Sequence, residues 1–187
     1  AAADLDAPVL LTEHDRLPNA TFAAIDELAP EHVTILGGEV AVDQDVEDTI
    51  NEDLDLPTDR IAGETRYETA ADVARFVQER NDNQANWPGG QRAVFLTTGE
   101  NFPDALSAGA PAASRDGAPI PVLLTRPDEV PAETEAVIEE QDVELVVIVG
   151  GPEAVSEDVQ QAIDDEDTTT DRWAGETRTE TATVVAD

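Results

Sequence analysis

The feature that most constrains the fold of this chain is an internal repeat. Val33–Ile50 reads VTILGGEVAVDQDVEDTI, and Val146–Ile163 reads VVIVGGPEAVSEDVQQAI. Arg60–Ala74 (RIAGETRYETAADVA) returns as Arg172–Ala186 (RWAGETRTETATVVA). The step is 113 residues for Gly37 to Gly150 and for Val9 to Val122, and 112 for Arg60 to Arg172, so one residue has been lost in a loop between the blocks. A repeat of this length implies two similar units, each of which must bury its own core. The polar Glu79–Arg92 stretch, with its Pro and Gly, is the expected boundary. It gives a first unit over 1–90 and a second over 91–187. The first unit is expected to lack its opening strand and helix, the counterparts of Ala93–Ser114, as though cut from a longer tandem array.

Apolar runs place the strands. Pro8–Thr12, Val33–Gly37, Ala93–Thr98, Pro121–Thr125 and Leu145–Gly150 are short, rich in aliphatic and β-branched residues, and continuous rather than alternating. That is the pattern of parallel strands covered on both faces. Helical patterns lie between them at Asn19–Leu28, Asp43–Leu54, Thr65–Gln78, Pro103–Ser114, Ala132–Glu140, Ser156–Ile163 and Thr177–Ala186. The expected class is α/β: tandem repeated units, each a small parallel sheet layered with helices joined by right-handed crossovers.

Charge sets the surroundings. The 187 residues carry 43 acidic and 10 basic side chains, a formal net charge of -33, and every basic residue is Arg. Acid segregated into a tail would imply disorder. Here it is interleaved with runs such as LVVIVGG, so it belongs on a folded surface. Such a surface repels itself at low ionic strength and is relieved in molar salt, where the Debye length is roughly 3 Å. A halophilic, archaeal source is the expectation. Nucleic acid and anionic membrane, which require basic patches, are excluded as partners. No cysteine is present, so no disulfide or thiolate metal site exists. No apolar run approaches the roughly 20 residues of a membrane span.

Several motifs carry two readings each. Gly37-Gly38 and Gly150-Gly151 end strands where open α/β sheets bind ligands, but they also suit tight turns needing positive φ. In the GETRxET block, Thr65 with Glu68 and Thr177 with Glu180 fit helix capping boxes. Arg60, Arg66, Arg172 and Arg178 use four of ten cations on the same two positions of each copy. They read either as donor forks for a carboxylate or glycan, or as ion pairs within an acidic body. Asn101 and Asp104, after the Ala93 strand, are helix-capping residues or ligand contacts. Asp164–Asp171 (DDEDTTTD) reads as a solvated loop or a cation loop. His14 and His32 become Pro127 and Leu145 in the second copy, and no nucleophile elbow or ligand-spaced histidine pair occurs. No enzyme, metal or cofactor is expected; hydrolysis of a glycoside by two carboxylates is the enzymatic alternative.

Taken together, RIAGETRYETAADVA, TTGENFPDALSAG, APIPVLLT and VVIVGGPEAVSEDV resemble the cell-wall-binding repeat 2 family, over about Ala7–Ala186. The resemblance implies small α/β modules used in tandem, often in threes around a pseudo-threefold axis, that anchor secreted proteins to envelope polymers. Any enzymatic activity is implied to lie on a separate domain. Arg60, Arg66, Tyr67 and Thr69 match the family's RxxGxxRYxT motif, as do Arg172, Arg178 and Thr181 in the second copy, where Thr179 replaces the Tyr. Asn101, Phe102, Asp104 and Ala105 match its NFPDAL motif. The implied protein is extracellular, at the cell surface or wall. Its partners are an envelope polymer or surface glycan and neighbouring repeats, with Arg60, Arg66, Tyr67, Asn101, Asp104, Arg172 and Arg178 as ligand-binding residues. A structural spacer or oligomerisation element is the alternative.

Overall fold

The computed structural model describes residues 7–82, 84–100, 119–165, 167–175, 180, 181 and 183. In chain order the elements are α1 (Asn19–Leu28), β1 (Val33–Leu36), α2 (Gln44–Asp53), β2 (Thr58–Ile61), α3 (Arg66–Arg80), β3 (Ala93–Thr98), β4 (Val122–Thr125), α4 (Ala132–Glu140), β5 (Leu145–Val149), α5 (Glu157–Ile163) and β6 (Thr169–Trp173). Among the described residues every strand ladder is parallel. They form a two-stranded sheet, β1-β2, and a four-stranded sheet ordered β4-β3-β5-β6. The α/β class with small parallel sheets is therefore as the sequence implies. The expected helices at Pro103–Ser114 and Thr177–Ala186 lie largely or wholly outside the described residues.

Local chemistry sets the helix ends. Asp43, Thr65 and Ser156 each accept a backbone N–H of the first turn, from Asp45, Glu68 and Val159 respectively. Pro18 and Pro131 stand just before α1 and α4, and Ala29 closes α1 in the left-handed region ahead of Pro30. In α2 the buried residues are Val46 and Ile50, one turn apart, and they pack on Ile35 with Leu17, Val33, Val42 and Leu56 around them.

The larger sheet has two apolar faces. Val94, Leu96, Val146 and Ile148 lie on one face and Ala93, Phe95, Leu145, Val147 and Val149 on the other, as strand alternation requires. On the second face Phe95 and the half-buried Trp87 and Trp173 cluster with ring centroids 5.6–6.2 Å apart. The first face is covered by α3, α4 and α5 through Ala71, Ala74, Val137 and Val159.

The helix α3 follows the first unit's strands in the chain but packs on β4 and α4 of the larger sheet. Ala71 and Ala74, both fully buried, allow that close approach, and Arg75 reaches Glu140 of α4 at 2.9 Å. Within the stretch expected as a linker, α3 runs on to Arg80, and residues 84–92 lead into β3. Asn86 is buried, donates to Ala93 O at 3.0 Å and accepts from Ala93 N at 2.7 Å, tying the turn to the start of β3.

Two expectations need correcting. Pro8–Thr12 is not a strand, although its counterpart Val122–Thr125 is. A strand exists only with a neighbour: β4 pairs with β3, and among the described residues no such strand stands beside Val9–Thr12. Conversely, β2 and β6 form where no strand was expected. They are outer strands of their sheets with sequences TDRI and TTDRW, so the polar side chains that hide them in the sequence are the ones an outer strand carries.

Candidate functional site

The repeated glycines and the first Arg of each GETR block form one device. Gly37 and Gly150 have φ of 116° and 126°, a region that favours glycine, and each donates back to the neighbouring strand, at Ile61 O and Trp173 O. Arg60, on β2, sends Nη1 to the carbonyls of Gly37 and Val42, both at 2.8 Å. Its Nε and Nη2 grip Glu47 Oε2 at 3.1 and 2.7 Å. Arg172, on β6, does the same: Nη1 to Gly150 O and Val155 O at 2.8 and 2.9 Å, and Nε and Nη2 to Gln160 Oε1 at 3.0 and 2.9 Å. Each guanidinium thus clamps a strand end, a glycine turn and the following helix. All the hydrogen bonds described for Arg60 and Arg172 run inward.

The rest of the GETR block is similarly built in. Thr69 Oγ1 and Thr181 Oγ1 accept the N–H groups of Gly63 and Gly175, each at 3.0 Å. A Cβ at Gly63 would overlap Glu68, and one at Gly175 would overlap Glu180, so both glycines are required by contact. Glu68 Oε2 accepts from Glu64 N at 2.7 Å, one residue earlier than a standard capping box would have it.

A second cluster faces outward. At the N-terminus of α3, Arg66 donates from Nη1 to Gly99 O at 2.6 Å. Gly99 follows β3, and a Cβ there would come within 2.7 Å of Tyr67. The Arg126 guanidinium, just after β4, sits 5.0 Å from the Tyr67 ring centroid, and its Nη1 lies 3.3 Å from Glu129. Arg66 is exposed, while Tyr67, Gly99 and Arg126 are partly so. The cluster lies at the carboxyl ends of the parallel strands, beside the point where connections leave β3 and β5 toward opposite edges, the position open α/β sheets use for ligands. Two cations and an aromatic face there suit hydroxyl-rich or anionic groups. Arg126 was not expected in any site: its counterpart is Glu13, so the repeat does not mark it. Asn101, Asp104 and Arg178 lie outside the described residues.

The acidic loop shows local bonding. Asp165 accepts from Asp167 N and Thr168 N at 2.8 and 2.7 Å, and these two amides hold its carboxyl below the usual range. Among the described residues no three His, Cys, Asp or Glu side chains gather as a metal site, and no helix is long and apolar enough to cross a membrane.

Small parallel sheets, each held by an arginine clamp of the same design, mark a repeat-built α/β module. The chain belongs to the family described as cell wall binding domain 2, whose model matches residues 60–160. It is a cell-wall-binding module, placed at the cell wall or surface. It is similar to Cwp6 from Clostridium difficile, with a TM-score of 0.83 and 25% identity, over 98% of this chain and 28% of that one. Among curated proteins of Bacillus subtilis strain 168 it is 30% identical to N-acetylmuramoyl-L-alanine amidase LytC, over 82% of this chain and 28% of the relative. It is 31% identical to the Amidase enhancer, over 98% of this chain and 23% of the relative. The chain therefore spans less than a third of the length of each of these three relatives.

Proposed function

We propose that this chain is a non-catalytic anchor that holds the polypeptide carrying it to a wall polymer or surface glycan, with the contact at Arg66, Tyr67 and Arg126. The observation that carries this reading is the outward cluster itself. In a chain of net charge -33, two of ten cations flank the only tyrosine at the carboxyl ends of parallel strands. Asn101, Asp104 and Arg178 remain in the proposed set on sequence grounds, whereas Arg60 and Arg172 act through the fold as clamps. Any catalysis belongs to other parts of the parent protein. That division is supported by the small fraction of LytC, named as an amidase, that the chain matches. Neighbouring repeats of the same family are the second class of partner.

Sedimentation of the purified chain with bacterial walls, and with envelopes from a halophile in molar salt, tests the proposal. Pelleting is expected with intact material and not with material stripped of its polymers. The double substitution Arg66→Gln, Tyr67→Ala should weaken pelleting at least about tenfold, the loss of roughly 1.4 kcal/mol or more of contact energy, with the melting temperature little changed. A folded chain that never pellets sinks the proposal. One whose pelleting survives the substitution sinks the site. The spacer reading has its own support, because Arg66 and Tyr67 also tie α3 to the end of β3. It predicts instead that the substitution lowers the melting temperature.

The acidic surface supports a salt-adapted source, although the named relatives are bacterial. Raising KCl from 0.1 to 3 M is expected to raise the melting temperature by about 5–10 °C through screening of self-repulsion. An equal gain in sucrose without salt would show general solvent exclusion rather than charge screening.

A further inference from the structure

The turn after β4 carries an ion pair that is only partly closed. Thr125 Oγ1 donates to the carbonyls of Arg126 and Glu129 at 3.1 and 2.9 Å, and the Arg126 amide donates to Glu129 O at 3.1 Å. The main chain thus fixes where both side chains start. Between them there is one bond: Arg126 Nη1 donates to Glu129 Oε2 at 3.3 Å, with the two side chains 41% and 68% exposed. Among the described residues Arg126 Nε and Nη2 and Glu129 Oε1 have no partner, and the guanidinium lies 5.0 Å from the Tyr67 ring centroid. Arg66, in the same cluster, donates from Nη1 alone, to Gly99 O.

The first unit has the same turn with the pair reversed and closed. Thr12 Oγ1 donates to the carbonyls of Glu13 and Arg16, both at 3.1 Å, so Glu13 stands where Arg126 does and Arg16 where Glu129 does. There Nε and Nη2 of Arg16 donate to the two carboxylate oxygens of Glu13, at 2.7 and 2.8 Å. A bidentate pair of that kind turns the donor fork onto its own acid. Arg126 and Glu129 instead leave two nitrogens and one carboxylate oxygen open, side by side.

We infer that the open Arg126–Glu129 pair reads the hydroxyls of an uncharged sugar, and that Glu129 sets this preference. The inference rests on the anchoring reading above and narrows its ligand to a glycan without charge at the point of contact. A hydroxyl both donates and accepts, so one sugar hydroxyl gives its proton to Glu129 while its oxygen takes an N–H of Arg126. Neighbouring hydroxyls take the remaining donors of Arg126 and Arg66. A phosphate or carboxylate can only accept. Bound at Arg126, it would stand beside the Glu129 carboxylate, and like charges brought together at a contact select against such a ligand. The rest of the surface acts in the same sense, because a chain of net charge -33 repels a polyanion wherever salt does not screen it.

Glu129→Gln is the discriminating substitution. Gln160 holds the fork of Arg172 through its amide oxygen at 2.9 and 3.0 Å, so Gln at this position can keep Arg126 in place. The turn itself depends on the Glu129 carbonyl and not on the side chain. Sedimentation with bacterial walls is compared for parent and variant, with the melting temperature read alongside. A neutral hydroxyl that donates to Glu129 loses a charge-assisted acceptor, so the variant should pellet about fivefold more weakly with its melting temperature unchanged. The loss should be the same at about 0.2 M and about 2 M KCl, where charge attraction is strongly screened. An anionic ligand gives the opposite sign, because the substitution removes a repulsion and tightens pelleting. Tighter or unchanged pelleting therefore overturns the inference and leaves the anchoring reading standing. A loss confined to low salt would mean an amine-bearing ligand, and a loss that tracks a lowered melting temperature would assign Glu129 to the fold; either overturns it too. A folded parent chain that never pellets removes the anchoring reading, and this inference with it.

Discussion

Replacing Arg172 by Leu is expected to destabilise the larger sheet by roughly 3–5 kcal/mol. The guanidinium donates to the carbonyls of Gly150 and Val155 and to the Gln160 amide oxygen, with a longer bond to Ser156 O at 3.4 Å. Gly150 and Val155 are buried, so Leu would leave their carbonyls without a donor and without water, at about 1–3 kcal/mol for each orphaned group. Burial also pushes the Arg172 pKa down, against the opposing pull of Glu157, so this cation has been partly withdrawn from solvent and depends on its acceptors. Lys is expected to rescue little, because an ammonium on a flexible stem cannot span a turn, a helix start and an amide at once. The chain supplies its own reporter: its two tryptophans, Trp87 and Trp173, both pack with Phe95 on this sheet. The urea midpoint by tryptophan fluorescence should fall by about 2 M, given a slope of about 1–3 kcal/mol per molar. Arg60→Leu should leave that transition nearly in place while loosening β1 and β2. An Arg172→Leu transition superimposed on the parent's would mean that the clamp carries no stability.

The helices within the described residues were legible because their signals are local. Asn19–Leu28 and Ala132–Glu140 are bounded by prolines and polar residues in the sequence, and the structure keeps the same limits. The buried strands were legible for a related reason, since only a strand covered on both faces reads as continuous aliphatic sequence. Failures came where an element depends on what lies beside it. Val9–Leu11 carries the strand composition but has no strand partner among the described residues, and Thr58–Ile61 lacks the composition but has one.

The candidate site divides the same way. Repetition marked Arg60 and Arg172 as constrained but could not say by what, because their acceptors are main-chain carbonyls that no residue type reveals. Arg66 and Gly99 stand 33 residues apart, and their meeting follows from the passage of α3 onto the next sheet, a tertiary fact with no sequence signature. Arg126 carries no repeat signal at all. Only its place one residue beyond β4 could have pointed to it.

The two clamps differ in one group, and that difference predicts a pH response. Where Arg172 meets the amide of Gln160, Arg60 meets the carboxylate of Glu47, at 2.7 Å and with side chains only 16% and 17% exposed. The Arg60 hydrogen bonds, seconded by Thr58, hold the Glu47 pKa below its ordinary value of 4.5 against the opposing effect of burial. A carboxyl lowered by folding stabilises the fold above its unfolded pKa and loses that contribution as pH falls through the folded value. Acidification below about pH 4.5 should therefore loosen the smaller sheet through this clamp, whereas the Gln160 clamp has no proton to gain. Glu47→Gln makes the first clamp a copy of the second. It is expected to cost about 1 kcal/mol at neutral pH, the difference between a charge-assisted and a neutral hydrogen bond, and to flatten the acid limb of stability. Hydrogen exchange of 33–61 measured between pH 6 and pH 3 reads this directly, after correction for intrinsic exchange. Because many other carboxylates titrate in that range, the decisive quantity is the difference between parent and variant. Parallel profiles would show that the Glu47 contact makes no pH-linked contribution, and that the second copy's amide performs the same task without the charge.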